Sequence, residues 1–584
     1  MISSIQQQKV QVLLTLAFTM ILFGCSNDGP ELTPQATPPT SPEPTPVSEP
    51  APEEITESDG IVYGGVRNQG EEPQYGGIAT FSHRRDLPGS DPMYQSSISL
   101  HNVIGSVYGR GSLVRSKRED VYTIEGFLAD TWKSEQEGKI WTFTLHPNIK
   151  WHDGAPLTAE DVAYWLELAT NPPEGRSPTR FLSNLQSIEQ VEVLDPLTIK
   201  VTHSSPNPHW LEALSDPKLV ISHPKHLVEK EIQKKNVKIQ PSEYGWVAAG
   251  PFKMLEYDKG SIVRVRRSDT YFEQGVTGLS LPYMDGIDFV IMRDRSAMVS
   301  AFRAGRLDGT SRGVGFHINP EAENKIREEM QEKAWFGRVL YFPWASMFNS
   351  VEPPFIDIKL RKAVNLFLDR QEGVQTVHGG NAVVGSIWPP GSPWGNSDVN
   401  EWEGFRASTK EQDRNEARSI IKDAGYTNLS VEVLCRNVYI TQCEYFDNQL
   451  RELGLNPVLN MADIGTIEEK TQSGNYQLQL ASMPSLFPSE TAANYISTNP
   501  HALARHGDPK VDELLDKINT TADAIERAKI TKEFERYFSY EQSYGTFWWW
   551  EVSVLAYRSH VKGVPIPHQN VQNNTDYATT WLDE

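Results

Sequence analysis

The residues able to do chemistry in this chain fall into few recognisable constellations. Three cysteines are present. Cys25 follows the small residue Gly24 at the end of an apolar run, and its thiol is a nucleophile able to accept a lipid group. Cys435 and Cys443 stand eight positions apart. Outside the cytoplasm such a pair can persist as a disulfide. Two separate buried thiols fit the spacing as well, because spacing does not fix Cβ geometry. The 14 His are scattered, and His83, His101, His152 and His378 form no ligand-spaced cluster. No HExxH, GxSxG or P-loop pattern occurs. The chain is therefore expected to be no enzyme and to carry no metal or cofactor of its own.

The start of the chain reads as a targeting signal. Lys9 precedes an apolar run from Val12 to Phe23, broken by Thr15 and Thr19. A bilayer span needs roughly 20 apolar residues, so this run is too short to cross and suits a secretory signal. Its end, Leu22-Phe23-Gly24-Cys25, resembles the bacterial lipoprotein signal, whose cysteine is lipidated and becomes the new N-terminus. A plain secretory signal with an incidental cysteine is the alternative. Ser26 to Gly60 is rich in Pro, Thr, Ser and Glu and has no Lys or Arg. It cannot bury enough surface to offset ordering, and its prolines favour an extended tether. The expected product is a domain lifted off a membrane by a lipid anchor.

Beyond the tether roughly 520 residues remain, enough for two or three domains at about 150 residues each. A hydrophobic content of 38% with 15 Trp and 21 Tyr describes a globular protein. A net charge of −21 argues against nucleic acid, which needs a basic face.

Strands and helices alternate through the rest. A glycine-led strand is expected at Tyr75–Phe81, and period-two strands at Trp141–Leu145 and Ile262–Arg266. Thr158, with Asp161 three residues on, starts a helix. Further helices are expected over Asp357–Leu368, Gln412–Ala424 (stopped by Gly425), Pro509–Ile518 and Ala524–Phe538.

The stretch from Trp141 to Val162, WTFTLHPNIKWHDGAPLTAEDV, resembles the signature of the family-five bacterial solute-binding proteins, the oligopeptide, dipeptide and nickel-binding group. Further blocks follow in order: Ala249–Met254, Arg267–Phe272, Leu281–Gly286, Ala301–Asp308, Phe348-Asn349, Pro353–Asp357, Arg361–Arg370, Ala424–Tyr426, Leu450–Leu455 and Asp508–Asp512. The resemblance implies an α/β fold of the two-lobed periplasmic binding protein kind (type II, cluster C), with an extra domain in the N-terminal lobe. The expected division is a signal at 1–25, a tether at 26–72, an N-terminal lobe at 73–335 with a subdomain inserted near 116–240, a C-terminal lobe at 336–545, and a return to the N-terminal lobe at 546–584.

Such proteins close two lobes on a solute and deliver it to an ABC permease driven by an ATPase. The resemblance thus implies a monomer whose partners are a small peptide-like solute, a permease and an ATPase. It places candidate ligand contacts in five segments. The first is the loop Ser82–Asp86, with His83, Arg84 and Arg85, whose cations could meet a carboxylate or simply be solvated. The second holds Tyr341 and Met347, and the third Trp388. The fourth is Gln479–Glu490, with Met483, Ser485 and Phe487. The fifth is Phe547–Trp550, with Trp548 and Trp549, where pocket wall and core packing are both open readings. Strand alternation would send Trp549 opposite to its neighbours. Peptide-binding members commonly carry an ammonium-binding Asp after the block matched by Asn475–Leu478. None lies in Ala481–Glu490, and Glu490 is the candidate substitute. An oligosaccharide, a nickel or haem complex, or a sensory role without transport are the alternatives.

Overall fold

Polar and apolar residues alternate along the outer sheets, while the strands joining them are buried along nearly their whole length. The computed structural model describes residues 61–583 except 64, 67–70, 95–104, 119, 180–181, 183–184, 218, 311–317, 482–485, 500–501, 568 and 570–575. The signal, Cys25 and most of the tether lie outside the described residues, as do Met483 and Ser485.

Strand β1 (Ile78–His83) opens the N-terminal sheets, after the short strands Ile61–Tyr63 and Gly65–Val66. An antiparallel sheet follows, made of β2 (Ala129–Glu135), β3 (Ile140–Leu145), β4 (Ile188–Asp195) and β5 (Thr198–His203) in the order β2-β3-β5-β4. In β3, Trp141, Phe143 and Leu145 are buried and the residues between them half-buried, as period two requires. Helix α1 (Ala159–Thr170) starts where the sequence predicts, the Thr158 backbone N–H donating to Asp161 at 2.9 Å. With α2 (Trp210–Leu214), these elements enclose a core of Trp141, Phe143, Trp151, Trp165 and Trp210.

The chain then returns to β1. Strands β6 (Phe252–Asp258), β7 (Ile262–Arg267) and β8 (Gly286–Ile291) give the order β6-β7-β8-β1, with β8 and β1 parallel. Helices α3 (Arg295–Arg303) and α4 (Pro320–Met330) are capped by Asp294 and Asn319, whose side chains accept the N–H groups of Ala297 and Ala322.

The remaining chain builds a larger mixed sheet. Its elements are β9 (Ala334–Phe348), α5 (Ile358–Phe367), α6 (Arg370–His378), β10 (Ala382–Val384), α7 (Lys410–Asp423), β11 (Ser430–Arg436), α8 (Ile440–Leu453), β12 (Asn456–Ala462), β13 (Leu478–Leu480), α9 (Pro488–Tyr495), α10 (Pro509–Thr520), α11 (Ala524–Arg536) and β14 (Gly545–Arg558). The strand order is β10-β14-β9-β13-β11-β12, with Ile61–Tyr63 added parallel to β9. Helix α7 begins two residues earlier than the sequence predicts. Lys410 anchors its first turn by donating to the carbonyls of Leu366, Leu368 and Gly404. Helix α11 stops at Arg536, where a π turn over Tyr537–Glu541 replaces the last predicted turn.

Strands β9 and β14 join the halves of the molecule. They pair antiparallel from Ala334↔Arg558 to Met347↔Gly545. At one end Trp335, Val339, Leu555 and Tyr557 sit in the core that also holds Phe81 and Phe289. Midway, Phe336, Leu340, Trp550 and Val552 pack with Met298 and Phe302 of α3. At the other end Trp344, Phe348, Trp548 and Trp549 belong to the core shared with α5, α8 and α11. The two strands therefore cross from lobe to lobe, buried along nearly their whole length.

Their ladder is interrupted twice. Leu340 pairs with Val552 and Phe342 with Glu551, so Tyr341 is an extra residue in β9. Trp344 pairs with Trp549 and Ala345 with Phe547, so Trp548 is an extra residue in β14. A β-bulge bends its strand and re-aims the side chain beside it. This corrects the predicted alternation of the tryptophans: both Trp548 and Trp549 meet Tyr445 of α8, with ring centroids 6.4 and 5.7 Å away.

Cys435, at the end of β11, and Cys443, in α8, are joined by a disulfide, with Cα atoms 6.3 Å apart. Among the described residues no helix is long and apolar enough to cross a membrane.

Candidate functional site

Parallel strands deliver loops at their C-terminal ends, and β1 and β8 end side by side. The Met292 N–H donates to the His83 carbonyl at 2.7 Å, which sets Arg84 and Arg85 next to Arg293 and the start of α3. Asp86 organises this corner. Its carboxylate accepts the Gly260 N–H at 2.5 Å, Arg293 Nη2 at 2.7 Å and the Tyr257 hydroxyl at 3.2 Å. The Gly260 N–H, and then Arg293 and Tyr257, hold Asp86 below the usual carboxylate range against the opposing effect of burial.

Arg84 is half-buried and Arg85 exposed. The Arg84 guanidinium is drawn below its ordinary range by burial and by the like charges of Arg85 and Arg295, with Tyr341 and Tyr439 opposing. Tyr341 is the bulged residue of β9, and Tyr439 lies in the loop after β11. A cavity of about 440 Å³ is lined by Arg84, Arg85, Asp86 and Arg293. An adjoining one of about 510 Å³ adds Arg295, Arg303 and Lys325, with Asp294 and Glu321 as its carboxylates. Arg303 is paired with Glu329. Cations therefore predominate here on a chain of net charge −21.

The facing wall is aromatic. Tyr439 stands edge-on to Trp344 at 4.8 Å, and the Arg436 guanidinium lies 5.4 Å from its ring and donates to its hydroxyl at 3.3 Å. Burial raises the Tyr439 hydroxyl above its usual range, Glu551 adding to this while Arg436 and Arg84 oppose it. Trp344 Nε1 donates to the buried Glu551 at 3.0 Å. The disulfide brackets Tyr439, tying the end of β11 to α8 on either side of it. Tyr439 was missed by sequence reasoning; its place between the two cysteines was the available signal.

Of the sequence-predicted residues, the structure brings Arg84 and Arg85 together on one cavity, while Tyr341 is buried in the bulge of β9. His83 is buried beneath them with its ring edge-on to Phe289 at 6.0 Å. The others lie elsewhere. Met347, Trp388, Trp548 and Trp549 are at most 1% exposed and belong to the core of the C-terminal lobe. Trp549 fills the space above Gly373, where a Cβ would come within 2.3 Å of its ring. Trp388 packs edge-on to Phe534 at 6.4 Å. Its loop is pinned by Glu535, which accepts the N–H groups of Trp388 and Asn396. Burial pushes Glu535 up to about 7 despite those bonds. Phe487 is buried at the start of α9, and Glu490 accepts the Leu486 N–H at 2.9 Å. A depression of about 620 Å³ along β12, lined by Ser430, Glu432 and Val458–Met461, holds none of the predicted residues. Among the described residues no cluster of His, Cys, Asp and Glu could hold a metal ion.

Two lobes, two crossing strands and facing loops at the ends of parallel strands define a binding protein of the periplasmic, two-lobed class. Residues 123–501 match the bacterial extracellular solute-binding proteins, family 5, and the chain belongs to that family of transport-related binding proteins. It is 24% identical over 315 residues to the periplasmic oligopeptide-binding protein OppA of Escherichia coli, covering 51% of this chain and 54% of that one. The chain thus spans about half the length of this relative. Against OppA of Salmonella typhimurium it is 25% identical over 444 residues, covering 71% and 76%. In fold it resembles the ABC transporter substrate-binding protein CtaP of Listeria monocytogenes, with a TM-score of 0.72, 21% identity, and coverage of 88% of this chain and all of that one.

Proposed function

We propose that this chain is the extracytoplasmic substrate-binding component of an ABC importer, capturing a peptide-like solute by lobe closure and delivering it to a membrane permease. The observation that supports the reading is the cation-lined cavity where β1 and β8 end, with Arg84, Arg85 and Arg293 gathered at Asp86 and Arg295 in the adjoining hollow. A carboxylate entering there would be held by charge-assisted hydrogen bonds from Arg84 and Arg295. Relatives named as oligopeptide-binding proteins support the peptide class. Glu490 accepts the Leu486 N–H, and Asp294 and Glu321 are the carboxylates that line the cavity beside Arg84.

The same reading includes a lipid anchor at Cys25, the tether to residue 72, lobes divided near 335 and 545 with a subdomain near 116–240, a monomeric state, permease and ATPase partners, and no catalytic activity. The test is native mass spectrometry of co-purified solute, joined to melting-temperature shifts with a library of free and N-acetylated peptides. A shift with peptides is expected. A shift with sugars or metal complexes and with no peptide would overturn the substrate class. Cys25→Ser should move the protein from the membrane fraction to the soluble one.

A further inference from the structure

Apart from the crossing strands, the two halves also meet through side chains. Glu212 lies in α2, whose Trp210 and Leu214 belong to the core around β2–β5. Arg527 lies in α11, whose Phe534 belongs to the core of the C-terminal lobe. The two side chains, 315 positions apart, form a two-pronged ion pair: Arg527 Nη2 donates to Glu212 Oε2 at 3.0 Å, and Nη1 donates to Oε1. Both residues are buried, Arg527 at 2% exposure and Glu212 at 7%.

Neighbours complete the junction. Ser489 of α9 donates to Glu212 Oε2 at 2.6 Å. His209 Nε2 donates to the Thr521 carbonyl at 2.8 Å. Arg527 is held from its own side by the Ile518 carbonyl at 2.9 Å and lies 5.5 Å from the Trp394 ring.

We infer that Glu212 and Arg527 form a latch that selects the closed arrangement of the lobes, acting as positioning residues for solute capture. The reason is an asymmetry of solvation. When the lobes part, each charge returns to water at little cost. When they close, each is dehydrated and depends on the other. Removing one partner therefore penalises the closed form alone, and a solute then binds only in proportion to the closed fraction that remains. A latch at the mouth and a bulged strand pair at the hinge would together leave closure as the motion available to the lobes. This inference rests on the binding-protein reading above.

The test reads interlobe distance by electron–electron resonance between spin labels at Lys230→Cys and Glu416→Cys. It uses the full chain carrying Cys25→Ser, with and without a mixture of N-acetylated and free tri- to pentapeptides. Glu212→Gln and Arg527→Met are each expected to lower the ratio of short to long distances at least tenfold. The Glu212→Gln/Arg527→Met double variant should lose less than the product of the two single losses, since no charge is then left buried alone. Glu212→Gln keeps its packing and decides the matter where Arg527→Met fails to fold. Parental distances in both single variants, strictly multiplicative losses in the double variant, or a parent with no short-distance population in either condition would each overturn the latch. A peptide mixture that leaves the melting temperature unchanged counts against the function proposed above; the distances measured without peptide still read the latch.

Discussion

The two faces of the cleft are built on opposite principles. The face from the N-terminal lobe is loop and helix start: Arg84, Arg85 and Arg293 lie around Asp86 at the ends of β1 and β8, with Arg295 in the adjoining hollow. The face from the C-terminal lobe is backed by rings. Most of its aromatic residues point away from the cleft, into a core with Phe446, Phe534 and Phe538. Tyr439, half-buried in the loop after β11, is the exception. Cations stay where a ligand can reach them because burying them unpaired is costly. Tryptophans gain most where water is excluded, so abundance of Trp in a sequence points to a core before it points to a pocket wall.

That contrast breaks most readily at Trp549. If it is core, Trp549→Ala leaves a large void beside Gly373 and costs about 3–5 kcal/mol of stability. Urea unfolding should show this with or without solute, and any loss of affinity should follow the loss of folded protein. A variant as stable as the parent that binds tenfold more weakly would return Trp549 to the pocket.

Glu535 sharpens the comparison next, because it is the buried acid behind the Trp388 loop. Its folded pKa, pushed up to about 7, lies above the usual value near 4.5. The folded state therefore holds a proton that the unfolded state releases, and this group's contribution falls as pH rises from about 4.5 to 7. The full difference is about 3 kcal/mol. The parent and Glu535→Gln should differ in their stability–pH slopes across that window, the parent losing more on the way up. Parallel curves would show that Glu535 is ionised throughout.

Legibility followed solvent. In β3, with one face half-wet, alternation at Trp141, Phe143 and Leu145 was readable from the sequence alone. The helix start at Thr158 and Asp161 was readable because capping is local. In β9 and β14 both faces are buried, so no pattern marks which residue turns where, and the bulges at Tyr341 and Trp548 depend on the partner strand. Arg84 was found because a cation-rich loop after a strand is visible in sequence. Tyr439 was not, because its position depends on a disulfide that spacing left open.

That disulfide supports the aromatic wall, and removing it has a smaller expected effect. Cys435→Ser with Cys443→Ser opens a loop of eight residues, worth about 2–3 kcal/mol by loop entropy. Unfolding midpoints of the oxidised protein and the double variant measure this. Hydrogen exchange should rise around Tyr439 and stay unchanged around Arg84. Equal rises on both faces would mean the two walls are not independently built.

The smallest effect is expected on the cationic face, and it separates that face from the aromatic one most cleanly. Arg84 is half-buried among Arg85, Arg295 and two tyrosines, a setting that already disfavours its charge. Its replacement should therefore change stability by no more than about 0.5 kcal/mol. If it meets a solute carboxylate, Arg84→Met should weaken binding of an acidic or C-terminally free peptide by about tenfold, near 1.4 kcal/mol. The same substitution should leave a C-terminally amidated peptide almost unaffected, and Arg84→Lys should fall between, keeping the charge and losing the fork. Calorimetric titration of the three variants with the paired peptides reads this directly. Equal losses for free and amidated peptides would assign Arg84 a packing role, and the two faces would then differ in composition but not in task.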